Sequence, residues 1–454
     1  MDYLDYSDLV KAIDKQGKNK YFINTFGCQM NAHDSEKLAG MLESMGYEEC
    51  ESEKEADLVI FNTCCIRENA ENKVYGNLGY LKHVKEEGKD LKIVLCGCMT
   101  QQDAVIEKLR KSFSFVDIIF GTFNLHKFPM LLHSNLTSKS RIIDIWKEHG
   151  DMTEDLPQLR QSGHKASINI MYGCNNFCTY CIVPYVRGRE KSRPVEDILR
   201  EAKALAADNV KELMLLGQNV NSYGKDFENG ESFAGLLRKI SETDGIERIR
   251  FMTSHPKDLS DELILAIKDI PKICGHLHLP FQSGSSRILK KMNRKYSKDE
   301  YLSLIEKVKK EIPDIALTTD IIVGFPGETE EDFEETLDLV KRCGFSGAYT
   351  FLYSKRTGTP AAVMEDQVPE ETAKARFNRL VAAVNPIIRS RNESQIGKTL
   401  RVLVDEKSRE GVMTGRAEDN SLVHFEGGEE LIGTFVDVKI EDCVTFYLSG
   451  VKIN

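Results

Sequence analysis

Cys174, Cys178 and Cys181 stand within eight residues, in the run Tyr172-Gly173-Cys174-Asn175-Asn176-Phe177-Cys178-Thr179-Tyr180-Cys181. The spacing C-x3-C-x2-C puts three thiolates on one short loop. Such a loop can hold three corners of a cubane iron–sulfur cluster and leave the fourth iron without a protein ligand. An open position lets a cluster bind and reduce a reactant rather than only pass electrons. Soft thiolates select iron–sulfur centres or zinc. Tetrahedral zinc wants four ligands in paired knuckles, and no second C-x2-C follows here. Three buried packing cysteines are the plain alternative. Gly, Asn and Thr surround these three, however, rather than an apolar stripe.

A second trio is Cys28, Cys64 and Cys98. Residues 21–26, 57–62 and 92–96 read as strands, and each is followed within a few residues by one of these cysteines. Helical patterns follow over 34–45, from about 67 to 84, and from 103. Strand, cysteine, helix, three times over, predicts a parallel sheet. The carboxyl ends of its strands share one edge, where ligands bind. Three strand-end thiolates would then hold a second iron–sulfur cluster, again one ligand short and open to an exogenous sulfur species. Unrelated buried cysteines are the alternative, and Cys65 and Cys96 sit beside the chosen ligands. Cys64 and Cys98 are preferred because they repeat the strand-to-loop position of Cys28.

From residue 167 the alternation restarts. Strands are expected at 167–172, 212–216, 246–252, 276–281, 315–323 and 348–353, with helices at 195–206, 232–240, 258–267, 301–310 and 330–341. Six βα units suit an incomplete barrel better than a closed eight-fold one. The cysteine loop follows its first strand. Gly217, Gln218 and Asn219 end the second, Gln282 and Ser283 follow the fourth, and Gly324 follows the fifth. Each turn alone could be ordinary; their shared edge favours a site. His276 and His278 read as satisfied interior groups rather than ligands. Residues 144–163 are polar and read as a linker. A helix over 370–391 carries Lys374, Arg376, Arg379, Arg389 and Arg391, with Pro386 expected to kink it. The tail has short strands at 399–404, 411–416, 422–425, 434–440 and 444–448, which suggests a small OB-like barrel.

Composition sets the outer bounds. A chain of 454 residues implies two to four domains, and 41% apolar with 29% charged residues is ordinary for a soluble protein. Lys+Arg 61 against Asp+Glu 71 gives a formal net charge of −10. Any nucleic-acid surface must therefore be local. Arg187, Arg189, Lys191 and Arg193 offer one basic run and the 370–391 helix another, although a charged helix is more often a solvated face. The tail from 397 has seven Lys/Arg against eleven Asp/Glu, so RNA binding there would rest on shape and stacking, on Phe425 for example. Twelve cysteines without a secretory leader argue for metal in a reducing compartment. Residues 1–6 have no basic or apolar leader pattern, and no apolar run reaches the length of a membrane span. A cytoplasmic protein with no membrane association is expected.

Several motifs now carry a family resemblance. Gly27-Cys28-Gln29-Met30-Asn31, Asn62-Thr63-Cys64-Cys65-Ile66-Arg67-Glu68 and Cys96-Gly97-Cys98 resemble the cysteine motifs of the methylthiotransferase N-terminal domain. The Tyr172 to Cys181 run, continued by Ile182-Val183-Pro184-Tyr185-Val186-Arg187-Gly188-Arg189-Glu190, resembles that family's radical S-adenosylmethionine (SAM) segment. Residues 397–454 resemble a TRAM domain. Together they cover nearly the whole chain. The resemblance implies an α/β fold: an N-terminal parallel α/β domain over 19–137, a partial (βα)6 radical SAM barrel over 160–390, and a small antiparallel OB-like TRAM barrel over 393–454.

G-C-Q-M-N with N-T-C-x-I-R-E is most similar to the MiaB subgroup of methylthiotransferases. The threonylcarbamoyladenosine and ribosomal-protein branches differ after the first two cysteines. The resemblance implies two [4Fe-4S] clusters, one on Cys174, Cys178 and Cys181 and one on Cys28, Cys64 and Cys98. It implies SAM chelated to the open iron by its amino and carboxylate groups. Tyr180, Gly217, Gln218, Asn219, Gln282, Ser283 and Gly324 are the residues expected to contact it. The implied partner is a tRNA anticodon loop carrying isopentenyladenosine at position 37, thiomethylated at C2. An external one-electron donor such as flavodoxin or ferredoxin and a monomeric state complete the expectation. Threonylcarbamoyladenosine or a ribosomal protein aspartate are the alternative substrates. An RNA-binding iron–sulfur sensor is the alternative of another class, but it would not need a site open at one iron.

Overall fold

Leu58–Thr63 is buried at every position, the pattern of a parallel strand covered on both faces. In the computed structural model, which describes residues 3–65, 68–148, 150 and 156–453, it lies inside an all-parallel sheet. Ile66 and Arg67 of the second cysteine motif, residues 1 and 2, and residues 151–155 of the expected linker lie outside that description. Contacts divide the chain into two compact units. The first holds residues 1–161, 173–175 and 181–189; the second holds 162–172, 176–180 and 190–454.

The first unit runs α1 (Tyr3–Ala12), β1 (Lys20–Thr25), α2 (Gln29–Ser44), β2 (Glu48–Glu49), β3 (Leu58–Thr63), α3 (Glu68–Glu86), β4 (Lys92–Gly97), α4 (Asp103–Ser112), β5 (Ile118–Phe120), α5 (Phe128–Ser138) and β6 (Ile142–Asp144). It also includes the short helix α6 (Val183–Val186). The strand order is β2-β1-β3-β4-β5-β6. One apolar layer gathers Leu38, Leu42 and Phe128, the other Leu78, Leu81 and Leu109. The order reverses between β1 and β3. That reversal is a topological switch point, where a crevice opens beyond the strands' carboxyl ends. Cys28 follows β1 and Cys64 follows β3, so they flank the crevice.

The linker reading of 144–163 needs correction. Asp144 ends a sixth strand, and Leu156 is buried in the same core as α2. The Leu159 N–H donates to the Glu36 carbonyl at 2.9 Å. A Cβ on Gly40 would lie 2.5 Å from Pro157 backbone atoms, so a glycine is what lets this segment lie along α2. Helix α1 carried no sequence expectation either.

The second unit opens with β7 (Lys165–Asn169), β8 (Met171–Tyr172) and β9 (Lys191–Ser192). It continues with α7 (Val195–Ala207), β10 (Glu212–Leu216), α8 (Phe233–Ser241), β11 (Arg248–Phe251), α9 (Asp261–Asp269), β12 (His276–His278), α10 (Ser286–Lys291), α11 (Lys298–Glu311), β13 (Ala316–Val323), α12 (Glu330–Cys343) and β14 (Gly347–Leu352). Parallel sheets β11-β10-β7 and β12-β13-β14 are joined by the bridge Ile249–Ile273, giving a six-stranded open barrel. Side-chain caps start its helices. Ser232, Ser260 and Ser285 each accept from a backbone N–H, while Ser297 with Glu300 and Thr329 with Asp332 form capping boxes. His276 and His278 both hydrogen-bond Thr318 Oγ1, at 2.9 and 3.0 Å, so they are satisfied interior groups.

Helix α13 (Glu370–Glu393) contains Pro386 and sends Leu380, Val384 and Ile388 into the barrel core. Its basic residues are engaged within the chain. Arg376 is buried against Glu328 at 2.9 Å, Arg379 pairs with Glu330 and Glu334, Lys374 with Glu370, and Arg389 with Glu393. The helix is thus ion-paired rather than a bare cationic stripe. The tail forms a closed barrel of β15 (Thr399–Arg409), β16 (Val412–Arg416), β17 (Leu422–Glu426), β18 (Phe435–Cys443) and β19 (Leu448–Ile453), ordered β15-β16-β17-β19-β18. The last strand begins at Leu448, where the expected 444–448 strand would have ended. Residues 444–447 form a turn instead, with Val444 N–H bonded to the Tyr447 carbonyl at 3.0 Å. Gly450 fits the final strand because a Cβ there would strike the Lys439 backbone of β18. The β17/β19 seam is parallel and the other seams are antiparallel. Phe425 lies in the barrel core and is unavailable for stacking; Phe446, 70% exposed, faces outward next to the less exposed Tyr447.

Two arginines inside β11 dock this barrel. Arg248 donates to the Arg416 carbonyl at 2.8 Å, and Arg250 donates to the Ala417 and Glu418 carbonyls at 2.6 and 2.9 Å. Glu212 on β10 stands 2.9 Å from Arg250 and balances the buried charge.

Candidate active site

In the first unit the strand ends are shaped by glycine. Gly27 has φ +112°, and a Cβ there would lie 2.6 Å from Cys64 Cβ and 2.7 Å from Cys64 Sγ. Gly97 has φ +94°, with Asn62 Oδ1 and Thr63 N each 2.6 Å from where its Cβ would be. Both positions combine a left-handed backbone with no room for a side chain. They bring the loops bearing Cys28 and Cys98 against the end of β3. A Gly27→Ala substitution is accordingly expected to push Cys64 aside. The iron content of the reconstituted chain should fall to about half by colorimetric assay, one cluster being lost and one kept.

Asn31, in the first turn of α2, stitches this edge together. Its Nδ2 donates to the carbonyls of Phe26 and Thr63, each at 2.8 Å. Arg187 reaches the same place from the segment after the cysteine loop. Its Nε donates to Cys98 Sγ at 3.2 Å, and its Nη2 donates to Asn31 Oδ1 at 2.6 Å and Asp34 Oδ2 at 2.9 Å. Ile182 and Val186 pack on Cys65 and Cys98. A hydrogen bond from the Cys65 thiol, aided by Arg187, pulls the Cys98 thiol below its ordinary range against the effect of burial. Cys65 is pushed up by the same bond and by burial. Cys96, which ends up wholly buried, is pushed up by burial. Arg187 therefore lies inside the protein, not on an RNA-facing surface. Arg193, equally buried, donates to the Asn169 carbonyl and pairs with Glu201.

Of the cysteine loop, Cys174 and Cys181 fall in the first unit and Cys178 in the second. Gly173, at φ +73°, lies against Gly188 and Arg189, and the Cys174 N–H donates to the Gly188 carbonyl at 3.1 Å. In the second unit, residues 176–180 are clamped by the residues just beyond the end of α10. Thr179 N–H donates to the Met292 carbonyl at 3.0 Å, and Asn293 Nδ2 donates to the Asn176 and Phe177 carbonyls at 3.1 and 2.9 Å. Arg294, buried, approaches Cys178 Sγ at 3.5 Å and donates to the Pro280 carbonyl at 2.7 Å. Neither Asn293 nor Arg294 carried a signal in the sequence.

The barrel's carboxyl edge holds the expected turn residues. Asn219 donates to Asp258 at 2.8 Å, yet its Oδ1 is buried with no hydrogen-bond partner among the described residues. Gln282 is in the same position at its Oε1, on a left-handed backbone of φ +67°. Buried, unpaired acceptors are costly unless a donor arrives. Ser283 is buried beside Gln282, Gln218 is half-buried, and Gly217 is pressed against Met171 and accepts from Thr253. Tyr180 packs edge-on to Phe325 with centroids 6.5 Å apart. Gly324 is committed differently. Its N–H donates to Glu328 at 3.1 Å, and a Cβ would lie 2.7 Å from Ala373.

Among the described residues, no three cysteine, histidine, aspartate or glutamate side chains form a ready-made metal-ligand set. The donor chemistry still fits iron–sulfur clusters: none of Cys28, Cys64, Cys98, Cys174, Cys178 and Cys181 is tied up in a disulfide.

Family models match three stretches: the Radical SAM superfamily over 168–340, Uncharacterized protein family UPF0004 over 20–121, and the TRAM domain over 393–453. The tRNA-2-methylthio-N(6)-dimethylallyladenosine synthase of Acetivibrio thermocellus is 58% identical, over 96% of this chain and 92% of its own length. That of Clostridioides difficile is 56% identical, over 97% and 93%. The chain belongs to the tRNA-2-methylthio-N(6)-dimethylallyladenosine synthase family. Solved structures share the fold at low identity. The radical SAM methyltransferase TsrM from Kitasatospora setae matches with a TM-score of 0.54 at 14% identity, over 76% of this chain and 77% of its own. The cobalamin-dependent SAM radical enzyme OxsB matches at 0.53 and 12%, over 80% and 56%. Unpaired acceptors buried on the barrel edge can take N–H or O–H donors from a bound molecule. Asn219→Ala and Gln282→Ala are each expected to weaken SAM binding about tenfold, roughly 1.4 kcal/mol, measured by equilibrium dialysis.

Proposed function

We propose that this chain converts N6-(dimethylallyl)adenosine at position 37 of tRNA to its 2-methylthio derivative. Identity of 58% across 96% of the chain to a synthase of that name is the observation that carries this reading. Three domains, over 19–137, 160–390 and 393–454, divide the work. Cys174, Cys178 and Cys181 hold one [4Fe-4S] cluster, on the strength of their spacing. Cys28, Cys64 and Cys98 hold the other. When bound, the first cluster with SAM would supply one-electron C–S cleavage, and the second would hold the sulfur that becomes the thiomethyl group.

The chain's own residues orient these groups. Asn293 fixes the backbone of the cysteine loop through its two carbonyl contacts. Asn219, Gln282 and Ser283 meet the polar ends of SAM, with Gly217 and Gln218 giving the turn between β10 and Asn219. Tyr180 packs on the adenine, and the turn at Gly324 completes that edge. The tRNA base must leave its stack to be reached, at a cost of a few kcal/mol, about what an anticodon loop allows. The TRAM barrel gives RNA its shape-reading surface, with the exposed Phe446 as its stacking group.

No helix among the described residues is long and apolar enough to cross a membrane. The protein acts in the cytoplasm as a monomer and takes electrons from a flavodoxin or ferredoxin. Reconstituted full-length chain, given SAM and reductant, should thiomethylate an anticodon stem-loop bearing dimethylallyladenosine. It should leave unmodified and threonylcarbamoylated stem-loops unchanged. Equal activity on the threonylcarbamoylated substrate would overturn the assignment.

A further inference from the structure

Arg187 is an interior cation that the proposed reaction does not use. It is 4% exposed, and its donors serve two directions at once. Nη2 is held by Asn31 and Asp34, while Nε points at the sulfur of Cys98. A planar fork can do both; a lysine ammonium cannot hold the same two directions rigidly. Every support is itself fixed. Asn31 is tied to the Phe26 and Thr63 carbonyls, Arg187 N–H donates to the Val183 carbonyl at 2.8 Å, and Thr122 Oγ1 donates to the Val186 carbonyl at 2.9 Å. Asn31 and Asp34 both accept from Nη2, so an anchor for the 181–189 segment could have been built without turning Nε–H onto a sulfur. The contact of Nε with a sulfur is what needs a further account.

We infer that Arg187 is a positioning residue of the second cysteine site, holding the Cys98 sulfur by an N–H···S hydrogen bond and raising the reduction potential of the cluster bound there. The inference rests on Cys98 being a ligand of that cluster. A hydrogen bond to a ligating sulfur, and a buried positive charge beside it, both favour the state with one more electron. Reduction adds that electron from the external donor, and no proton leaves Arg187.

The test uses the full chain with Cys174, Cys178 and Cys181 replaced by Ala, so that only the second site can be loaded. Potentiometry followed by EPR then compares Arg187 with Arg187→Lys and Arg187→Met. For Arg187→Met, the equilibrium constant for reduction is expected to fall at least tenfold, about 59 mV toward negative potential for one electron. Arg187→Lys should fall between. Iron bound with an unmoved potential overturns the role of Arg187 and leaves the ligand assignment standing. No iron bound in the Arg187 background overturns both. If Arg187→Met itself cannot retain iron, the unsubstituted arginine answers instead. In chain labelled with 15N-arginine, pulsed EPR of the reduced cluster should show a nitrogen coupling that disappears in Arg187→Lys. Absence of that coupling overturns the inference.

Discussion

Replacing Cys174 with alanine is expected to abolish both 5′-deoxyadenosine formation from SAM and thiomethylation of tRNA. Three thiolates within eight residues are the fewest that can hold a cubane cluster with one open iron, and two cannot. The loss should reach about three orders of magnitude, roughly 4 kcal/mol in barrier terms. Misfolding is not the expected cause. The loop at this point is held by the backbone bond from Cys174 N–H to the Gly188 carbonyl, and by the left-handed Gly173, neither of which involves the sulfur. Thermal unfolding of the apo chain should therefore shift by no more than about 1 kcal/mol in stability. Chromatography of 5′-deoxyadenosine and mass spectrometry of the digested tRNA read the two activities separately. Wild-type SAM cleavage in this variant would remove the cysteine loop from the chemistry.

Cys28→Ala should behave in the opposite way, sparing SAM cleavage while blocking thiomethyl transfer. Cys28 is an exposed residue at the N-terminal cap of α2, and its side chain makes no capping bond, so the helix loses little with its sulfur. Cleavage of SAM should stay within about twofold of wild type, since less than about 0.5 kcal/mol of the barrier is at stake. The methylthio nucleoside should be undetectable, and iron should fall to about half as one of two clusters goes. Equal loss of both activities would defeat the division of labour between the cysteine trios. Because Cys65 touches Cys98 in the fold, Cys64→Ala and Cys65→Ala belong in the same series; loss of iron from the first alone would settle the second ligand.

The parts legible in the sequence are those governed by short-range chemistry. Strand, cysteine and helix repeated three times point to the parallel sheet of the first unit, because a strand covered on both faces, such as β3 with Leu58, Val59, Ile60 and Phe61, reads as a continuous apolar run. The six βα units of the barrel are readable for the same reason. The illegible parts are set by contacts distant in sequence. Arg187 reads as one of four basic residues after the cysteine loop, and partners distant in sequence, Asp34 at 153 residues and Cys98 at 89, make it an interior cation. Arg248 and Arg250 interrupt a strand, and their use emerges only where the Arg416–Glu418 carbonyls come to meet them. Arg294 likewise becomes meaningful through Cys178. In the tail, the apolar run 444–447 reads as a strand, whereas Gly450 is what decides where the last strand must run. Phe425 alternates correctly for a strand, but alternation alone does not say which face is the core.

The most direct test is mass spectrometry of tRNA nucleosides from cells lacking this gene, beside cells complemented with wild type or with Cys174→Ala. Loss of 2-methylthio-dimethylallyladenosine with accumulation of dimethylallyladenosine, restored by wild type and not by the variant, is the expected result. Persistence of the methylthio nucleoside in the deletion strain, or its restoration by Cys174→Ala, would contradict the account.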